Sequence, residues 1–494
     1  MTEQMNIFEC LYPTYQIAKP IRLIELFAGY GSQALALKYT GIPFEHWKIC
    51  EWNYKSFNAY RRIHRTDVRQ DFMEGKTTED LVAYLTDKGV SADWNKPMTE
   101  KQVRKLNDSK LREIYNDIQA TSNLVDISRV HAEDLEITDT DKYTYLMSYS
   151  FPCQDLSLAG TRHGMNRDSG TRSSLLYEVE RILHECRQTG KMPEVLIMEN
   201  VPMVHGADNT ENWREWLLTL ERLGYSNYWQ DMIATDYGIP QIRNRTFCVS
   251  IQGEYAFNFP QPLPLEKKLR DLLEKKVSER YFLTKKFLNY CITNDAKQKE
   301  LGNGFRFEPQ EATAAELAKV INTHPTSKMH DNFIEVKTAT KLGTETAYEY
   351  DGVDLDNRKG RRGVVQAGKA HTLQTNAIGV VVVKGNYLPS GHSSGRIVDE
   401  KGVYPTLRAE THDTSPAIQT EQLTIRKLTP RECFRLQGVR DDDIDKLDGL
   451  TDNTKYHLAG DSICTTVLMA LFGELTGTEW QEKVRRLHGD SETV

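Results

Sequence analysis

The run IRLIELFAGYGS at residues 21–32 constrains this chain more than any other stretch of its length. An apolar piece of strand length gives way at once to glycines. QALALKYTG then follows as a helix that closes on Gly41. A strand that turns straight into a helix buries itself beneath that helix, which is the geometry of a parallel sheet with helices on its faces. The rhythm continues. FEHWKIC (44–50), YTYLMSY (143–149), EVLIMEN (194–200), NYWQDMIA (227–234) and RTFCVSIQ (245–252) read as strands. SSLLYEVERILHECR (173–187) and ENWREWLLTLERLG (211–224) read as helices, and Leu175, Leu176, Val179, Ile182 and Leu183 share one face of the first. The expected fold class is α/β, with a doubly wound, mostly parallel sheet.

Two segments depart from this plan. Residues 62–125 are charged and helix-forming, as in TTEDLVAYLTDKG and TEKQVRKLNDSKLREIYNDIQ, and read as a helical insertion. Residues 253–420 lose the βα rhythm, gain Gly, Thr, His and Pro, and carry short strands such as GVVVVKG. The expected organisation is a first domain over 1–252, a smaller, irregular β-containing domain over 253–420, and a C-terminal segment, 421–494, that returns to the first domain.

Composition excludes several classes. No apolar run approaches the roughly 18 residues that cross a bilayer, and the N-terminus lacks a signal-peptide pattern. The eight cysteines are scattered without a C-x-x-C pair, so neither a zinc site nor a disulfide framework is expected. The expectation is a cytoplasmic protein with no membrane and no metal. The net charge of −7 does not advertise nucleic-acid binding, but it is an average. DNRKGRRG (356–363) is basic, and RDDDIDKLD (440–448) is acidic and reads as solvated surface.

In an open α/β sheet, ligands bind beyond the carboxyl ends of the strands, so the residue after each strand is informative. After the first come Gly29 and Gly31, which allow a tight turn and close approach to a ligand. After the second comes Glu51, about twenty residues past the glycines, where such sheets keep an acid for ribose hydroxyls. Trp52 beside it suits either an adenine ring or the core. After the third come Pro152, Cys153 and Gln154, and Glu199 closes the fourth. A thiol and a carboxyl group converging on one crevice suggest a nucleophile with an acid partner. Gln241, Arg243 and Arg245 follow in PQIRNRTFCVSI, and the two arginines share a strand face.

Taken in order, ELFAGYGS, FPCQDLS, RSSLLYEVERIL, MENVP, QIRNRTFCV, RKLTPRECFRLQGV (426–439) and AGDSICTTVLMALFGEL (459–475) resemble the blocks of DNA (cytosine-5) methyltransferases. The resemblance covers roughly half of the chain. It implies an S-adenosylmethionine-dependent, Rossmann-like catalytic domain with a target-recognition domain over 253–420, and DNA held between two lobes. It makes Cys153 the nucleophile toward C6 of a flipped cytosine, Glu199 the contact to N3 and the exocyclic amine, and Arg245 with Arg243 the support of the base. S-adenosyl-L-methionine is the implied methyl donor. Its implied contacts are Phe27, Gly29, Tyr30 and Gly31, Glu51 at the ribose, Trp52 near adenine, and Pro152, Leu175 and Ile463 as lining. Asp134 is expected at the adenine amine, with Asp126 as the second choice. Asp461 stands where the family commonly has Asn. It suits either the donor or a helix N-cap.

Gln241, Arg396 and Thr406 are the expected DNA contacts, the last two in SGRIVDEKGVYPTLRA (394–409). The expected partner is duplex DNA, with a cognate restriction endonuclease as a further partner, and the expected state is a monomer in a bacterial or phage setting. Rival readings are a transfer-RNA cytosine methyltransferase, a small-molecule methyltransferase and a catalytically inactive DNA-binding protein.

Overall fold

The computed structural model describes residues 12–68, 70–152, 175–282 and 419–487, with short pieces and strands between 290 and 398. The chain forms two compact units: Met1–Glu274 with Glu316–Ser327 and Thr429–Val494, and Lys275–Ala315 with Lys328–Leu428.

The first unit is built on six strands, β1 (Ile21–Leu26), β2 (Phe44–Cys50), β3 (Thr144–Tyr149), β4 (Val195–Asn200), β5 (Tyr225–Ile233) and β6 (Asn244–Gln252), in the order β2-β1-β3-β4-β6-β5. β1 pairs in parallel with β2 and β3, and β3 with β4. β6 runs antiparallel to both β4 and β5. Every residue of β1, β3 and β4 is buried, as central strands covered on both faces must be.

Helices α1 (Ser32–Thr40) and α2 (Tyr54–His64) follow β1 and β2; α3 (Thr78–Asp87), α4 (Glu100–Val103) and α5 (Asp108–Ala120) form the insertion; α6 (Leu176–Thr189) and α7 (Thr210–Arg222) cover the sheet. Helix α1 is buried almost all round because the apolar C-terminal helix Thr465–Thr476 packs on it. The apolar helical stretch Asp452–Thr476 is likewise mostly buried, and its hydropathy serves the core. On the other side, α6 and α7 bring Val179, Leu183, Trp213 and Trp216 onto Met147, Tyr149 and Met198.

The insertion has a core of its own. Leu81, Leu85, Val103, Leu111 and Ile114 close on one another and on Ile49, Phe57 and Tyr60. It therefore grows out of β2 and α2, and it begins only after α2 ends at His64.

Two sequence expectations shift. The unit boundaries fall at 274/275 and 428/429, not near 252 and 420. Residues past β6 still pack on the first unit: Ala256 donates its N–H to Pro13, and Leu269 and Leu272 are buried. Gln419–Lys427 is instead a strand of the second unit. Among its described residues that unit holds a seven-stranded mixed sheet of β7 (Gln310–Glu311), β8 (Phe333–Ala339), β9 (Asp351–Asp354), β10 (Val364–Ala367), β11 (Val380–Asn386), β12 (Arg396–Val398) and β13 (Gln419–Lys427), in the order β12-β11-β9-β10-β13-β8-β7.

The acidic run also differs from a solvated surface. Asp443 is fully buried, accepting from the Lys38 and Lys446 ammonium groups and the Tyr39 hydroxyl. It pins the C-terminal segment to α1.

Candidate active site

The carboxyl ends of β1 to β4 open into a cavity of about 580 Å³, within the roughly 300–1,000 Å³ of small-molecule sites. Because β6 is antiparallel, its first residues lie beside the last of β4, with Thr246 opposite Asn200. Arg243 and Arg245 thereby reach the same rim as Glu199. From β2 to β4 is three strand spacings, about 14 Å. A slot of that length suits an elongated ligand.

At the β2 side, Glu51 accepts from the Gly29 N–H (3.0 Å) and the Asn53 N–H (2.8 Å). An ionised carboxylate has about four acceptor directions, so two remain for a pair of hydroxyls. Asn123 fixes the backbone here: its Oδ1 accepts from the Glu51 N–H and its Nδ2 donates to the Glu51 carbonyl. Burial pushes the Glu51 carboxyl up to about 7, against the pull of the two amides, and nearby Asp461 raises it further. Gly29 has φ +56° and Phe27 φ +59°, the second an uncommon conformation for a bulky residue. The Phe27 N–H donates to the Cys50 carbonyl at 2.7 Å, which holds the turn against the end of β2.

At the β4 side, Glu199 is buried and its Oε1 lies 3.1 Å from Arg245 Nε. Burial raises the Glu199 pKa, and the positive charges of Arg245 and Arg243 oppose that shift. Asn200 donates from Nδ2 to the Phe151 carbonyl, tying the end of β4 to the segment that leads into Cys153. Arg243 is itself buried and donates to the Ser462 carbonyl at 2.6 Å, fastening the break between the helices Asp452–Asp461 and Thr465–Thr476 at the cavity.

Phe27, Gly29, Tyr30, Glu51, Trp52, Pro152, Leu175, Glu199, Arg243, Arg245, Asp461 and Ile463 thus share one cavity. Cys153 and Thr406 lie outside the described residues, as does the basic stretch 356–363. Arg396 begins the edge strand β12.

Four expectations need correction. Asp134 does not line the cavity: its carboxylate accepts from the His131 N–H and caps its own short helix, whereas Asp126 does line the cavity. Gly31 is not lining either. At φ +84° it caps α1, and a Cβ there would lie 2.6 Å from both the Tyr60 and His64 rings, so the turn requires glycine. Gln241 is fully buried and donates to the Leu436 carbonyl, so its amide serves the interior and is not presented to DNA. Asp461 is not an N-cap; it ends a helix and pairs with His457 Nδ1 at 2.9 Å, while Cys464 occupies the N-cap of the following helix. Sequence reasoning missed Trp94 and His457, both in the lining, and Asn123 beneath Glu51. No local spacing singles them out.

The family model for C-5 cytosine-specific DNA methylases matches residues 77–477. The chain is 32% identical over 458 residues to the type II methyltransferase M2.ScrFI of Lactococcus lactis subsp. cremoris, covering 92% of this chain and 99% of that protein. It is 34% identical to the orphan methyltransferase M.SssI of Spiroplasma monobiae, over 69% of this chain and 89% of that protein. The crystal structure of the S. pombe Dnmt2 methyltransferase shares the fold, with a TM-score of 0.50 at 14% identity, over 92% of this chain and 97% of that chain.

Proposed function

The chain belongs to the C-5 cytosine-specific DNA methylase family, and from that premise we propose that Cys153, Glu199 and Arg245 act on a cytosine of duplex DNA while the methyl donor lies along the cavity above β1 to β4. The activity is that of a DNA cytosine-5 methyltransferase. What supports the residue assignment is a single cavity lined by both Glu51 and the Glu199–Arg245 pair.

S-adenosyl-L-methionine supplies the methyl group as an electrophile on a sulfonium sulfur. Glu51 has two acceptor directions left for ribose hydroxyls, Trp52 and Ile127 offer apolar walls, and Asp126 offers an acceptor for the adenine amine. Phe27, Gly29, Pro152, Leu175 and Ile463 complete the lining.

The chemistry asked of the protein follows from the base. C5 of cytosine is part of an aromatic ring and a weak nucleophile. Addition of the Cys153 thiolate to C6 breaks that aromaticity and makes C5 electron-rich. Glu199 suits the opposite side of the ring. Burial favours its protonated form, which donates to N3 while the second oxygen accepts from the exocyclic amine. Arg245, 3.1 Å away, holds that carboxyl group in place. Once C5 carries the methyl group, loss of its proton to a base and expulsion of the thiolate restore the ring, with no net oxidation or reduction. The target must leave the helix to reach the cavity. Reading of the target sequence falls to the second unit, with Arg396 and Thr406 as the proposed contacts. A cytoplasmic bacterial or phage setting, a monomeric state and a cognate restriction endonuclease belong to the same proposal. The relative named as a type II methyltransferase supports the endonuclease partner.

The test is incubation of the protein with methyl-labelled donor and mixed-sequence duplex DNA, beside Cys153→Ser. The expected result is label as 5-methylcytosine for the wild type alone. Label in transfer RNA and not in DNA, or equal label from the serine variant, overturns the assignment.

A further inference from the structure

The insertion between α2 and residue 125 reaches the cavity through one short turn. Ser91 donates its N–H to the Trp52 carbonyl (2.8 Å), and its own carbonyl accepts from the Tyr54 N–H (3.0 Å). The turn is closed by Met98 N–H to the Val90 carbonyl and by Ser91 Oγ to the Lys96 carbonyl, and Asp93 Oδ1 accepts from the Asn95 and Lys96 amides. This lacing attaches the turn directly behind Glu51 and Trp52.

The turn delivers Trp94. Its backbone lies at φ +61°, a conformation that bulky residues rarely adopt and keep only where their surroundings enforce it. Trp94 Nε1 donates to Ser56 Oγ at 3.1 Å, and the Lys55 ammonium sits 4.8 Å from the ring centre. The indole stacks on the His457 ring at 3.7 Å with 15° between planes. His457 pairs with Asp461, and both line the cavity with Trp94. A strained aromatic, anchored at its ring nitrogen and stacked across the cavity rim, is over-built for covering an insertion. Trp94, His457 and Asp461 share their cavity with Glu51, which sets the stack beside the ribose-accepting carboxylate.

We propose that Trp94 is a positioning residue for the methyl donor: the insertion exists at this cavity to place the Trp94–His457 stack as a wall for the donor's nucleoside portion and to hold Asp461 toward it. This rests on the reading of the cavity as the donor site. The wall acts on donor affinity and leaves the chemistry at Cys153 and the affinity for DNA unchanged.

The experiment is calorimetric titration of S-adenosylhomocysteine, and separately of 5′-methylthioadenosine as the nucleoside fragment, into wild type, Trp94→Ala, Trp94→Phe and His457→Ala. Loss of a buried apolar wall predicts a rise in Kd of about tenfold for Trp94→Ala with both ligands, a smaller rise for His457→Ala, and near-wild-type binding for Trp94→Phe. Donor KM should rise in parallel, with kcat at saturating donor and KM for DNA unchanged. If Trp94→Ala folds poorly, His457→Ala carries the test: it should weaken both ligands and leave DNA affinity unchanged, and wild-type binding of both ligands by that variant overturns the proposal. The proposal is overturned if Trp94→Ala binds both ligands as the wild type does, or if DNA affinity falls as much as donor affinity. Failure of the wild type to bind S-adenosylhomocysteine would instead overturn the donor-site reading, and this proposal with it.

Discussion

Replacing Glu51 with Gln is the most informative single perturbation of the donor site. Both carboxylate oxygens already accept a backbone amide, from Gly29 and from Asn53. A glutamine must turn its NH2 group toward one of those N–H groups, so one donor faces another. It also loses the charge that strengthens hydrogen bonds from ribose hydroxyls, each worth roughly 1.5–3 kcal/mol when the acceptor is ionised. A net loss of about 3 kcal/mol corresponds to roughly a hundredfold weaker donor binding. The pH dependence provides a second readout. With the carboxyl titrating at about 7, roughly nine-tenths is ionised at pH 8 and one-tenth at pH 6. Only the ionised form offers full acceptor capacity, so wild-type affinity for S-adenosylhomocysteine should fall about tenfold from pH 8 to pH 6, with proton release on binding near neutrality. Glu51→Gln should be weak and flat over that range. Asp461→Asn, which removes a neighbouring negative charge, should move the wild-type midpoint to lower pH. Calorimetry at pH 6, 7 and 8, in two buffers of different ionisation enthalpy, reads all of this. Threefold or smaller weakening at pH 8 in the glutamine variant, or a pH-independent wild type, would refute the reasoning.

Three further outcomes follow from the same geometry. Glu199→Gln keeps a donor and an acceptor for the base but cannot pass a proton to N3, so kcat should fall about 10²–10³-fold with KM for the donor little changed, as single-turnover assays would show. Asp443→Ala strips the shared partner from Lys38, Lys446 and Tyr39. Both ammonium groups still reach water, so the loss should be about 2 kcal/mol, below the 3–5 of a fully buried pair, read as a lower urea midpoint at constant slope. Glu25 is fully buried on β1 with its carboxyl pushed up to about 7 from 4.5. The folded state holds this proton over a range where the unfolded state releases it, so its contribution declines as pH rises from about 4.5 and levels off above about 7. Glu25→Gln should therefore stabilise the protein by up to about 3 kcal/mol at pH 8 and very little at pH 4.5, as denaturation at the two pH values would reveal.

What was legible in this sequence, and what was not, divides by the distance over which the determining contacts act. Strands β1 to β6 could be read because burial on both faces writes a continuous apolar run, and the ligand-facing ends could be read because a parallel sheet gathers them on one edge. That logic singles out Glu51 and Glu199, and both line the cavity. It failed where a polar residue's use depends on what comes to meet it from far along the chain. Gln241 resembles an exposed recognition amide until Leu436 takes its hydrogen bond. Asp443 resembles one more surface acid in an acidic run until α1 closes over it. Asp134 and Asp126 are each followed by an apolar residue in a short turn, and only the return of the chain beside β2, through Asn123 and Leu124, decides which one faces the cavity. Trp94 is the extreme case. Nothing within ten residues of it marks a ligand wall, because its meaning is carried by His457 from the opposite end of the chain. The insertion looked like an interruption of the α/β plan for the same reason. Its helices bury their own apolar faces, which is all that local periodicity records, while the turn that reaches the cavity is polar, irregular and silent until the C-terminal segment stacks against it.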